Sequence, residues 1–170
     1  MATAIEPDSR LDLCVLGLGY IGLPTAVVFA QAGMRVLGVD IDADRVHHIH
    51  ERTLLIDEPG LKEALDGSMD VGHLTVSTDV QPAKNFLIAV PTPLKADKTA
   101  DISNIWAAAE TIAPALSPED LVILESTSPP GTTKALRDYL ADLRKDLNFN
   151  SGEDAKISVA YCPELSLIHI

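Results

Sequence analysis

Leu13-Cys14-Val15-Leu16-Gly17-Leu18-Gly19-Tyr20-Ile21-Gly22 carries an apolar strand pattern straight into a GxGxxG turn, and a helix-forming stretch, 21–32, opens from it. Each glycine meets a separate demand. Gly17 permits the tight turn, Gly19 lets a pyrophosphate approach the backbone, and Gly22 allows helix and strand to pack closely. Phosphates there meet N–H groups at the positive end of a helix, so no Lys or Arg is required. Alone the hexapeptide is a weak signal, because a plain glycine turn can be spelled the same way. Its place between a strand and a helix is what gives it weight. Asp40 adds to it, closing the second apolar run 18 residues after Gly22. That is near the ~20 expected of the carboxylate that accepts from the adenosine ribose hydroxyls. A carboxylate in that position repels a 2′-phosphate, which favours NAD over NADP. The alternative makes Asp40 an exposed strand-end acid or the cap of the next helix. Arg45, one turn into that helix, either reaches the adenosine side or lies on a solvated face.

Outward from this loop, two kinds of segment alternate. Short β-rich runs lie at 11–16, 35–39, 74–77, 86–90, 121–124 and 157–160. They are four to six residues long with few charges, as expected of strands buried on both faces of a parallel sheet. Helical patterns cover 21–32, 42–51, a short 61–65, 102–113 and 132–143. This order predicts an α/β, Rossmann-like, doubly wound and mostly parallel sheet with helices on both faces. The predicted domain runs from 11 to 164, after a tail at 1–10; the least structured stretches are 95–101 and 148–154.

The chain has 170 residues with 25 acidic and 13 basic side chains, a formal net charge of −12. Such a balance argues against capture of nucleic acid or an anionic membrane surface. No apolar run approaches the ~20 residues a bilayer demands, and the acidic start has no signal-peptide h-region. The expected location is cytoplasmic. Cys14 and Cys162 form no disulfide framework. Cys14 reads as a small buried hydrophobe, and Cys162 as a packed thiol rather than a nucleophile. His47, His48 and His50 lack the company of a recognised metal-ligand set and read as a polar helix surface, so no metal is expected. Trp106 reads as core.

Ligands of doubly wound sheets sit beyond the carboxyl ends of the strands. Three more unusual segments fall there. In Val90-Pro91-Thr92-Pro93 two prolines stop the strand, and Thr92 could offer its hydroxyl or backbone to a cofactor; a stiff loop without contact is the alternative. In Glu125-Ser126-Thr127-Ser128-Pro129-Pro130-Gly131, Thr127 could bind a water or the nicotinamide end, while Ser128, Thr132 or Thr133 could cap the next helix. Tyr161-Cys162-Pro163-Glu164 follows the last strand, where Glu164 could order a water or take a proton, or simply be an exposed acid.

In chain order the stretches VLGLGYIGLPT (15–25), GVDI (38–41), IAVPTP (88–93), VILESTSP (122–129) and YCPE (161–164) resemble the amino-terminal half of the UDP-glucose/GDP-mannose dehydrogenase family. The wording of 122–129 and 161–164 is most similar to its UDP-N-acetyl-D-mannosamine branch. The resemblance implies two NAD-dependent oxidations that take a UDP-sugar C6 alcohol to a carboxylate, through a thioester-type intermediate on a cysteine. It assigns Tyr20, Ile21, Asp40, Thr92 and Thr127 to NAD, together with the glycines and the Val90-Pro91 corner, and makes Glu164 the acid at the catalytic mouth. It further implies a homodimer for the full-length enzyme. The family's lysine and nucleophilic cysteine lie in a second half, so this chain alone is expected to be inactive. Leu165-Ser166-Leu167-Ile168-His169-Ile170 departs from the family and looks like a translated transposon-end adapter, expected to be a non-native junction. A stand-alone NAD-binding or regulatory module is the competing reading.

Overall fold

The computed structural model describes residues 10–54, 56, 58–149 and 156–164; the expected tail up to residue 9, most of the 148–154 loop and the expected junction at 165–170 lie outside them. Six parallel strands, β1 (Leu13–Leu16), β2 (Val36–Val39), β3 (Leu74–Ser77), β4 (Asn85–Ile88), β5 (Leu121–Leu124) and β6 (Ser158–Tyr161), form one sheet in the order β3-β2-β1-β4-β5-β6. Five α-helices connect them: α1 (Gly22–Gln31), α2 (Ala43–His50), α3 (Leu61–Asp70), α4 (Ser103–Ile112) and α5 (Thr132–Leu143). This is the doubly wound Rossmann-like arrangement, and every described strand pair is parallel.

Alternation along the strands divides the core into two layers. Leu13, Val15 and Val36 point into a cluster with Leu23, Ala26 and Val27 of α1, Ile49 of α2 and Leu65 of α3. Cys14, Leu16, Leu37 and Val39 point the other way, toward Ile105 and Ala109 of α4 and Leu136 and Leu140 of α5. Period-two side chains serve both layers because helices cover both faces. The sequence order reverses between β1 and β4, and their carboxyl ends open a crevice at that switch point.

Three expectations need correction. The helix expected at 61–65 continues to Asp70, because Leu61, Leu65 and Ser68 keep a buried stripe through Gly67 and the Ser68 hydroxyl returns to the Ala64 carbonyl at 2.8 Å. The last strand is not buried on both faces. β6 pairs only with β5 and is largely exposed, and Cys162 beyond it is exposed rather than packed. Trp106 is half-buried at the rim of the core, edge-on to Tyr139 with ring centroids 5.5 Å apart. Cys14 does lie in the core, where burial pushes its thiol up to about 12. Among the described residues no helix is long and apolar enough to cross a membrane.

Candidate functional site: a crevice at the carboxyl ends of the strands

At the switch point the strand ends and the amino terminus of α1 surround a crevice of about 790 Å³. All the cofactor-binding and catalytic residues expected from sequence line it except Gly22. The glycine loop is held from both sides: the Gly17 N–H donates to the Val39 carbonyl at 2.8 Å, and the Ala89 N–H donates to the Leu16 carbonyl at 2.8 Å. Gly17 has φ +91°, and a Cβ there would stand 2.5 Å from the Ala89 carbonyl oxygen. A Cβ on Gly22 would fall 1.8 Å from the Gly17 carbonyl oxygen. At Gly19 a Cβ would meet no protein atom within 4 Å, because that side of the backbone faces open space. The N–H groups of Gly19, Tyr20 and Ile21 make no hydrogen bond among the described residues. They form a set of unused donors at the positive end of α1.

Asp40 is buried, only 5% exposed, rather than an exposed strand-end acid. Its Oδ2 accepts from the Leu18 N–H at 2.8 Å and from Arg45 at 2.8 Å, while Oδ1 accepts from the Asp42 N–H at 2.9 Å. The cap of α2 is Asp42, whose Oδ1 accepts from the N–H groups of Asp44 and Arg45. Asp40 therefore ties the glycine loop to the second strand–helix turn. Arg45 belongs to the crevice wall and not to a bare solvated face. Ile41, 93% exposed, and Tyr20, 59% exposed, offer apolar surface beside it.

On the other side the three strand-end segments are stitched together by side chains. The Thr92 hydroxyl donates to the Thr127 carbonyl at 2.7 Å, and the Thr127 hydroxyl to the Glu164 carbonyl at 3.1 Å. The buried Ser126 hydroxyl reaches the carbonyls of Val90, at 2.8 Å, and Ile88, at 3.2 Å. Asn104 of α4 donates to the Pro91 carbonyl at 2.9 Å. Neither threonine hydroxyl proton is thus directed at the crevice, although both residues line it. Capping of α5 by Ser128 or Thr133 is not found. Gly131 is the cap residue, and the Thr132 hydroxyl bonds back to the Pro129 carbonyl at 2.8 Å.

Ser126, Glu125 and Asn104 of this wall carried no expectation. Glu125 is half-buried; its Oε1 accepts from the Thr25 hydroxyl at a long 3.5 Å, and its Oε2 is buried without a partner among the described residues. Burial first, and the neighbouring Glu164 charge second, hold its carboxyl above the ordinary 4.5. The strand-end rule pointed at the segment, but nothing in the spelling separated Glu125 from its hydroxyl-bearing neighbours. Because its proton is bound more tightly in the folded chain, its ionisation opposes folding as pH rises from 4.5 upward. Glu125→Gln is therefore expected to raise the thermal midpoint at pH 8, with the gain vanishing below pH ~4, where wild type is protonated in both states. A melt series showing equal shifts at both pH values would contradict this. Of the histidines, His48 Nδ1 lies 2.7 Å from the Asp44 carbonyl oxygen and His47 is exposed.

Comparison with known proteins agrees with this geometry. A family model described as the UDP-glucose/GDP-mannose dehydrogenase family, NAD binding domain, matches residues 11–167. The chain is 48% identical over 166 residues to an NDP-N-acetyl-D-galactosaminuronic acid dehydrogenase of Ralstonia nicotianae, covering 96% of this chain and 39% of that protein. To the UDP-N-acetyl-D-mannosamine dehydrogenase of Yersinia pestis it is 47% identical over 154 residues, covering 89% and 37%. A solved UDP-N-acetyl-mannosamine dehydrogenase from Staphylococcus aureus superposes with a TM-score of 0.81 at 39% identity, over 92% of this chain and 37% of that one. The Pyrococcus horikoshii enzyme does so with 0.84 at 36% identity and the same coverage. The chain thus spans under two-fifths of the length of the relatives it matches. It belongs to the UDP-glucose/GDP-mannose dehydrogenase family, of which it carries the NAD-binding domain.

Proposed function

We propose that the chain is the cofactor-holding part of a nucleotide-sugar 6-dehydrogenase. The enzyme oxidises the C6 alcohol of a UDP-sugar, UDP-N-acetyl-D-mannosamine foremost, to a uronate in two NAD-dependent steps. The observation that carries this is the glycine loop, with three N–H donors unused among the described residues, open space at Gly19 and Asp40 braced beside them. These residues fit a dinucleotide. Gly19, Tyr20 and Ile21 hold the pyrophosphate by backbone, Asp40 takes the adenosine ribose hydroxyls, and Ile41 gives the adenine an apolar surface. Val90, Pro91, Thr92 and Thr127 shape the far wall. When bound, NAD supplies a hydride acceptor. Glu164, exposed at the mouth beside Glu125, orders a water or holds a proton there. The described residues present no thiol to the crevice, since Cys162 does not line it. The chain by itself therefore binds cofactor without turning over sugar. We place the enzyme in the cytoplasm as a homodimer in its full length.

Calorimetric titration of the chain with NAD and NADP tests the cofactor assignment. Asp40 and Asp42 outnumber Arg45 at the ribose end, and Arg45 is already engaged at 2.8 Å. NADP should therefore bind at least about tenfold more weakly, on the order of 1.4 kcal/mol. Equal affinities would reject the ribose role of Asp40. UDP-sugar oxidation by the chain alone would reject its dependence on the rest of the enzyme.

A further inference from the structure

Where β5 ends, the crevice holds a polar group outside the roles assigned above. This is Glu125, with one carboxyl oxygen on Thr25 and the other buried without a partner among the described residues. Its side chain nonetheless lines the crevice, beside Thr127 and Glu164. The sheet order decides which part of the cofactor arrives there. Asp40 stands beyond β2 and Glu125 beyond β5, on opposite sides of the β1–β4 switch point. With the pyrophosphate on the loop between them and the adenosine ribose at Asp40, the second mononucleotide falls over β4, β5 and β6.

We infer that Glu125 faces the nicotinamide ring and that its charge makes the site distinguish oxidised from reduced cofactor. The inference rests on the NAD reading above. The ring is cationic in NAD+ and neutral in NADH, so a carboxylate beside it favours NAD+ and a protonated carboxyl does not. Little else near Glu125 blurs that distinction. Helix α1 brings no titratable side chain, only Thr25, and neither does the segment 89–94 after β4. The end of β6 and the segment after it bring Tyr161, Cys162 and Glu164, and the glycine loop brings Tyr20. Among the described residues lining the crevice the one cation is Arg45, held at the far end by Asp40 and Asp42. Burial and the Glu164 charge delay the ionisation of Glu125 to higher pH than the ordinary 4.5, so the discrimination develops above that pH.

The test titrates the chain with NAD+, NADH and ADP-ribose at a series of pH values from 4 to 8, in wild type, Glu125→Gln and Glu164→Gln. In wild type the preference for NAD+ over NADH should grow about tenfold from the lowest to the highest pH, the size expected for a unit charge near the ring in a partly hydrated site. Glu125→Gln should flatten that dependence and leave ADP-ribose affinity unchanged. Glu164→Gln, on an exposed residue, should move the wild-type change to lower pH without abolishing it. A preference in Glu125→Gln as pH-dependent as in wild type overturns the inference. So does an equal loss of all three ligands, which marks a structural role. Failure of wild type to bind any of them overturns the NAD reading, and this inference with it.

Discussion

Gly22→Ala is expected to cost the domain about 3 kcal/mol or more, seen as a thermal midpoint lowered by about 10 °C. Gly19→Ala should leave the midpoint within about 2 °C of wild type and instead weaken NAD about 10- to 100-fold. The two residues are three apart in one motif, and the opposite outcomes follow from what surrounds each. A methyl on Gly22 lands 1.8 Å from the Gly17 carbonyl oxygen and 3.2 Å from the Ala89 side chain. Neither can give way. Gly17 is itself wedged against the end of β4 at a positive φ, and its N–H is bonded to β2. The helix must therefore back away from the strand, and the buried contacts of Leu23, Ala26 and Val27 go with it. A methyl on Gly19 meets nothing, and its φ is not in the left-handed region, so the folded backbone accepts alanine. The space it fills is the space the pyrophosphate needs. Calorimetry and thermal melting of both variants decide the matter; a Gly19→Ala chain with wild-type NAD affinity would remove the phosphate role of the loop.

Asp40→Ala should lower NAD affinity by about 100-fold and cost about 2–3 kcal/mol of stability. The stability loss comes mainly from the Leu18 N–H, a buried donor left without an acceptor. Arg45 is partly exposed and rehydrates when its 2.8 Å partner is removed, so that ion pair adds little. The affinity loss has two sources. Ribose hydroxyls lose their acceptor, and the glycine loop loses the anchor that holds Leu18 beside the pyrophosphate site. Asp40→Asn separates them. It keeps one acceptor and removes the charge, so it should reduce NAD over NADP discrimination about tenfold while costing less stability than alanine. Unchanged discrimination in that variant would show that the carboxylate does not face the ribose.

Much of this site was legible because its constraints sit on the backbone. Gly17, Gly22 and the strand on either side of them can be read from spelling, and so can Asp40 at the next strand end. The corner Val90-Pro91-Thr92 was legible for a similar reason, since two prolines leave few conformations open. Glu125 was not. Its interest lies in a missing partner for one oxygen and in a neighbour, Glu164, 39 positions away in the chain. Thr92 and Thr127 were found as residues, yet their hydroxyls turn to carbonyls of adjacent loops.

The sequence by itself determined the sheet class, the helix boundaries to within a few residues save the end of α3, the glycine turn and the carboxylate that serves it. These depend on local periodicity and on what one backbone conformation permits. Only the tertiary structure decided which side chains were covered. An apolar run of four residues does not say whether a second strand or a helix lies over it, so β6 and Cys162 read as buried and proved exposed. Covalent order likewise says nothing of which strand ends meet. The joining of Asp40 to Leu18, of Thr92 to Thr127 and of Glu125 to Glu164 arose from the side-by-side pairing of β1 with β2, β4 with β5 and β5 with β6, a property of the sheet and of no single segment.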